Sequence, residues 1–231
     1  MKDMKTVARF GKILFVLLVL IIGVAELQAR IPSGETQSQL PSGSSPAATA
    51  LGGLSIKGRA PKTGYQRSLF SNGWATVNGC DTRNLILKRD LSDVVFADTV
   101  NCKVQSGTLN DPYTGTTIRF VRGSDTSSAV QIDHVVALSD AWQKGAQNLT
   151  AAERYSLAND PLNLLAVDGQ TNQNKGDSDA ASWLPPNKNF RCDYVARQIA
   201  VKTKYKLWVT NTEYSTIAKI LASCANQNLP S

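Results

Sequence analysis

The sequence predicts one α+β domain, and three observations carry that reading. Residues 117–121 and 130–136 alternate branched apolar with polar side chains on either side of a polar, Gly-containing stretch, the pattern of strands joined by a turn. Further along, apolar residues recur at helical spacing in several stretches punctuated by Pro, Gly and Asn-Asp signals. Four cysteines, an even number with no Cys-x-x-Cys among them, suit disulfide staples and argue against a structural zinc site.

Taken in order, residues 1–29 stand apart from that domain. Lys2, Lys5, Arg9 and Lys12 precede an apolar run over 13–24, and Ala25-Glu26-Leu27-Gln28-Ala29 follows, which is the pattern of a signal peptide cleaved after Ala29. The run falls short of the roughly 20 residues that span a bilayer. Leu27 stands where cleavage favours a small residue, so retention as an uncleaved membrane anchor over 13–24 is the alternative. Residues 30–53 are rich in Ser, Gly, Pro, Gln and Ala, lack aromatics, and read as a flexible linker. The folded domain is then 54–231, long enough to bury its own core.

Within it, Leu85, Leu87 and Leu91 suggest a helix over 84–93. Helices follow over 138–146 and 151–158, the second opened by Thr150-Ala151-Ala152-Glu153, a capping box, and closed by Asp160-Pro161. The run 162–167 is a strand ending at the Asp168-Gly169 turn, and helix resumes over 170–175. Two more helices are expected at 193–206 and 212–224, the latter with Tyr214, Ile217, Ile220, Leu221 and Cys224 on one face.

An exported chain meets an oxidising compartment, so Cys80, Cys102, Cys192 and Cys224 are expected to pair. Three pairings are possible; joining sequence neighbours, Cys80 with Cys102 and Cys192 with Cys224, is favoured. The formal net charge is +7, and residues 1–29 hold four basic and two acidic side chains of that count, which leaves the remainder modestly basic. That balance permits a polyanionic partner without establishing one.

The chemistry concentrates around the single histidine, His134, which directly follows Asp133 at the end of the second alternating segment. Phosphodiester hydrolysis needs a water made more basic and a divalent cation that takes up charge growing on the phosphate. A neutral imidazole, with an ordinary pKa of about 6.5, suits the first task. Mg²⁺ prefers oxygen ligands and keeps several waters, so a carboxylate such as Asp133 and an amide such as Asn172 suffice for the second. Adjacent strand residues point to opposite faces, so Asp133 and His134 can share a site only where the backbone bends.

Asp133-His134, then Asn163 in the next apolar strand, then Asn172 and Lys175 at the helix start resemble the His-Asn-His endonucleases of the ββα-metal fold. The blocks Cys80-Asp81-Thr82-Arg83-Asn84, Asp111-Pro112-Tyr113-Thr114-Gly115, Asn159-Asp160-Pro161-Leu162-Asn163-Leu164, Lys175-Gly176-Asp177 and Trp183-Leu184-Pro185-Pro186 resemble a secreted bacterial branch of these nucleases, over roughly 58–224. The resemblance implies catalysis by His134 as general base with Asn163 hydrogen-bonded to the backbone around it. It implies Asp133 and Asn172 as ligands of Mg²⁺, with Mn²⁺ as the alternative, and Asn174 as a lower-ranked ligand. Lys175 would contact a phosphate near a helix N-terminus, where free amides favour anions.

Blander readings belong beside these. Asn172 and Asn174 suit helix caps, Lys175, Lys202, Lys204 and Lys206 a solvated face, and Arg119 and Arg122 a cationic strand edge. Trp183 closes a core rather than stacking on bases, and Asp81, Arg83, Asp111 and Tyr113 read as turn and ion-pair residues outside the site. No zinc finger or helix-turn-helix accompanies the motif, so the expected substrate is DNA cut with low sequence specificity, RNA being the alternative. A competing function is a non-catalytic cell-surface protein that binds DNA on a nuclease fold. No stable protein partner is implied, and membrane contact requires an uncleaved leader.

Overall fold

The computed structural model describes residues 45–230; the leader and most of the expected linker lie outside the described residues. The first element contradicts the linker boundary at residue 53. Helix α1 (Pro46–Gly52) is capped by the Ser45 hydroxyl, which accepts from the Ala48 amide, and Ala47, Ala48 and Leu51 are buried in the main core cluster. Pro at the first helical turn is pre-set for this geometry. The segment is short and Ala-rich, and the surface it covers lies far along the chain.

A small hairpin of β1 (Thr76–Val77) and β2 (Cys80–Asp81) leads into α2 (Thr82–Asp90), whose N-cap is Asp81. That helix ends three residues before the expected 93, because the chain turns into strand β3 (Leu91–Phe96). Together with β4 (Val104–Asn110) and β5 (Thr117–Val121), β3 makes an antiparallel sheet in the order β3-β4-β5. The expected strand at 117–121 is therefore present as an edge strand paired with β4, and neither β3 nor β4 was announced by the sequence.

The functional end of the molecule is built by the next sheet. Strand β6 (Val130–His134) pairs antiparallel with β7 (Leu164–Asp168), from Val130 opposite Asp168 to His134 opposite Leu164, with no register shift. Between them run α3 (Leu138–Gln143) and α4 (Ala151–Asn159); both reciprocal hydrogen bonds of the Thr150–Glu153 capping box are present. Helix α5 (Gly169–Lys175) follows β7 directly, capped by Asp168, which accepts from the Thr171 amide. A Cβ on Gly169 would sit 2.0 Å from the Ser128 carbonyl oxygen, so only glycine lets α5 start this close to the turn before β6. Strand, strand and helix are thereby clamped into one unit.

The C-terminal helices α6 (Arg191–Lys204) and α7 (Asn211–Leu221) close the main core with α1. Disulfides join Cys80 to Cys102 and Cys192 to Cys224, the favoured pairing. The fold is α+β. Trp183 packs against Tyr113 and Tyr194 in the core, as expected. Lys202 departs from its reading as a solvated residue: it is fully buried, 2.9 Å from Glu213. Among the described residues no helix is long and apolar enough to cross a membrane.

Candidate active site

His134 ends β6 and is buried, and its position is fixed from two sides. Its Nε2 lies 2.8 Å from the Ala158 carbonyl oxygen at the end of α4. A carbonyl only accepts, so Nε2 carries the proton and the lone pair of the neutral ring is on Nδ1. Trp74 lies parallel to the imidazole, with ring centroids 5.9 Å apart. Burial, followed by the nearby positive charge of Arg67, lowers the pKa of His134 to about 4 against the raising effects of the Ala158 carbonyl and Asp133. The ring is therefore neutral at neutral pH.

Asn163 is wholly buried between the two ends of this arrangement. Its Oδ1 accepts from the Val136 amide at 2.8 Å, and its Nδ2 donates to the carbonyls of Val136 and Leu157. It thus ties the chain just past His134 to the helix end whose Ala158 carbonyl holds the ring.

Asp133, also buried, accepts from the Tyr113 hydroxyl on Oδ2 and from the Lys175 ammonium on Oδ1 at 3.0 Å. Burial and the Asp133 charge push the Tyr113 phenol well above its ordinary value, which keeps it a donor. Tyr113 is thus part of the site rather than a turn residue outside it, and it touches the carboxylate through a fully buried side chain. Asp81, Arg83 and Asp111 do serve turns and caps away from it. Arg83 bonds carbonyls rather than a carboxylate.

Lys175 differs from its expected role. It is buried, and its ammonium is spent on Asp133 and on the His134 carbonyl at 3.0 Å, so it is not placed to meet a phosphate from solution. Asn172, half-buried on α5, donates Nδ2 to the Gln131 side chain at 2.9 Å, which leaves its Oδ1 without a donor among the described residues. Asn174 is exposed and accepts from Gln170 instead.

Asp133, His134 and Asn172 line one cleft of about 320 Å³, together with Arg67. No bulge was needed to bring Asp133 and His134 to it; the ladder runs unbroken to His134, where the strand ends. Among the described residues no group of three or more His, Cys, Asp or Glu gathers to cage a metal. The hard oxygen donors nevertheless fit a cation that keeps most of its water. Among the described residues each Asp133 oxygen bears one hydrogen bond and retains a lone pair, and the Asn172 side-chain oxygen accepts none.

Comparison with known proteins gives the family of the chain. Residues 81–220 match the model of the GmrSD_C family, described as the C-terminal domain of GmrSD restriction endonucleases. The chain belongs to that family. The match spans Asp133, His134, Asn163, Asn172 and Lys175, and it begins downstream of Arg67 and Trp74. A protein of Arthroderma benhamiae described as "Uncharacterized secreted protein" is 38% identical over 216 residues, covering 92% of this chain and 100% of the relative. That relative is fungal, whereas the motif blocks had suggested a bacterial branch. No solved structure matches the chain. Membership of GmrSD_C makes this a nuclease-family domain, and it leaves Arg67 and Trp74 as additions that no motif in the sequence pointed to.

Proposed function

We propose that this protein is an exported endonuclease that hydrolyses phosphodiester bonds of DNA with low sequence specificity. One observation carries the reading: a neutral, buried imidazole whose Nε2 proton is committed to a carbonyl, in the wall of a cleft that it shares with Asp133 and Asn172. In the proposed reaction Nδ1 of His134 takes a proton from water as its oxygen attacks phosphorus, the P–O bond to the leaving oxygen breaks, and that oxygen departs as an alcohol with a proton from solvent water. Trp74 and the Ala158 carbonyl hold the ring in place, and Asn163 ties the backbone at Val136 to that at Leu157. Asp133 and Asn172 would hold a divalent ion, Mg²⁺ with Mn²⁺ as the alternative, which when bound supplies positive charge for the pentavalent phosphate. Lys175 neutralises Asp133 and pins the carbonyl of His134. Export is supported by the leader pattern, the two disulfides and the name of the Arthroderma relative.

Supercoiled plasmid tests the reading directly. Nicking should appear with Mg²⁺ or Mn²⁺ and stop with chelator, and His134→Ala should lose about 10² to 10⁴-fold in turnover, the usual cost of removing a general base, while still binding DNA. Full activity in that variant would end the mechanism. Salt-dependent binding by the wild type with no cleavage under any divalent ion would leave the DNA-binding protein as the function.

A further inference from the structure

The reaction proposed above leaves one wall of the cleft without a role. Three hollows of about 320, 220 and 400 Å³ share their linings in sequence. The first meets the second at Arg67, His134 and Leu138, and the second meets the third at Ser71, Gly73 and Trp74. They make one groove that begins at Asp133 and Asn172, passes His134, and ends at Tyr155, an aromatic side chain that is 47% exposed.

Among the described residues lining that groove, Arg67 is the one cation. It is exposed, and no hydrogen bond or ion pair engages its guanidinium within the described residues. It lines two of the three hollows together with His134. Lys175, the other cation near the site, is buried and committed to Asp133. A phosphate that reached His134 would therefore meet its positive charge in Arg67, whose planar fork suits two phosphate oxygens. Trp74 is occupied by His134, which leaves Tyr155 as the free aromatic face further along.

We infer that Arg67 grips the scissile phosphate, and that the groove beyond it takes the neighbouring nucleotide of a single strand with its base stacked on Tyr155. This rests on the nuclease reading of the same cleft and adds two binding residues to it.

The test uses the full chain carrying His134→Ala and a fluorescent single-stranded oligonucleotide titrated across salt. Adding Arg67→Ala should weaken binding and reduce the slope of log K against log salt by about 0.7, the value for one phosphate contact on a single strand. Adding Tyr155→Ala should weaken binding roughly tenfold with the slope unchanged, as expected for a lost stacking contact. In the otherwise native chain, Arg67→Ala should cost about 10²-fold in kcat, with partial recovery in Arg67→Lys, and leave the thermal midpoint unmoved. An unchanged slope and unchanged cleavage in Arg67→Ala overturn the role of Arg67, and unchanged affinity in Tyr155→Ala overturns the nucleotide subsite. If the wild type cleaves plasmid while both variants match their parents, this inference falls alone. If the slope responds to Arg67 but the wild type never cleaves, the nuclease reading falls and the phosphate contact stands.

Discussion

Helix α3 has two neighbourhoods, and charge is handled in opposite ways in them. On one side Leu138 lines the cleft, where Arg67 and the Asn172 oxygen have no partner among the described residues. On the other side Asp140 joins Lys144, Asp179, Lys202 and Glu213 in a buried cluster, with the exposed Arg59 at its rim. Lys144 lies 2.9 Å from Asp140, 2.7 Å from Asp179 and 2.6 Å from Glu213, while Arg59 reaches Asp140 at 2.9 Å and Asp179 at 2.8 Å. Burying an ion costs several kcal/mol unless a counter-ion and hydrogen bonds come with it. The cluster meets that cost by pairing its buried charges with one another, and the exposed Arg59 is itself spent on Asp140 and Asp179. The cleft leaves its groups open because water reaches Arg67, and open groups are those a substrate can use.

The largest effect that would break this contrast comes from opening the cluster. Glu213→Ala leaves Lys144 and Lys202 short of a carboxylate with no exposure at all. Removing one partner of a buried pair costs about 3–5 kcal/mol, so urea unfolding should show a loss of that size. His134→Ala, by contrast, should act mainly on turnover. A Glu213→Ala protein within about 1 kcal/mol of the wild type would mean that water already enters the cluster and that it is not the closed unit described.

Acid separates the two regions by pH, in chelator so that the cleft holds no cation. The His134 pKa falls to about 4 when folded, against its ordinary 6.5, because burial opposes its charge. The unfolded chain binds that proton first, so its contribution is complete above pH 6.5 and is lost as pH falls toward 4, amounting to about 3 kcal/mol. Burial alone would raise the Asp179 carboxyl, but the Lys144 hydrogen bond and charge, the Ser182 hydroxyl and Arg59 outweigh it and hold the group well below the carboxylate range. Its contribution is present above pH 3.8 and fades only below that. Stability against pH should therefore fall in two limbs, and His134→Gln should erase the upper one alone. A single limb beginning below pH 4, unchanged by that substitution, would refute the buried neutral imidazole.

How much of this was legible in the sequence follows from where each signal is stored. Strands β6 and β7 and helix α5 were readable because branched alternation, the Asp168-Gly169 turn and the capping signals lie within a few residues of one another. Strand β3 was hidden because Leu91 continues the helical spacing of Leu85 and Leu87, and because its pairing with β4 is irregular between Ser92 and Val95. Helix α1 has the composition of a linker, and only distant helices α6 and α7 give its Ala47, Ala48 and Leu51 something to cover. Charges are expected outside a fold, so the burial of Lys175 and Lys202 had no local sign. Arg67 was one of 25 basic residues, and its relation to His134 exists only in space.

Asn163 supplies the smallest and sharpest probe, because it is a fully satisfied buried group that serves the open side. Alanine there strands the Val136 amide and removes the donors to Val136 and Leu157, a loss of about 1–3 kcal/mol for unsatisfied buried groups. Because the residue holds the backbone at Val136, just past His134, and at Leu157, beside the Ala158 carbonyl, kcat should fall while KM stays near the wild-type value. Asn163→Asp keeps the acceptor for Val136 but turns a buried oxygen toward the Val136 and Leu157 carbonyls with no counter-ion, so it should be no more stable than Asn163→Ala and recover no turnover. Nitrogen NMR of the imidazole gives the deciding readout. A substitution that lowers kcat with the Nε2 proton still in place would make Asn163 a packing residue only; a ring that exchanges between tautomers would show that the closed network is what keeps the open one ready.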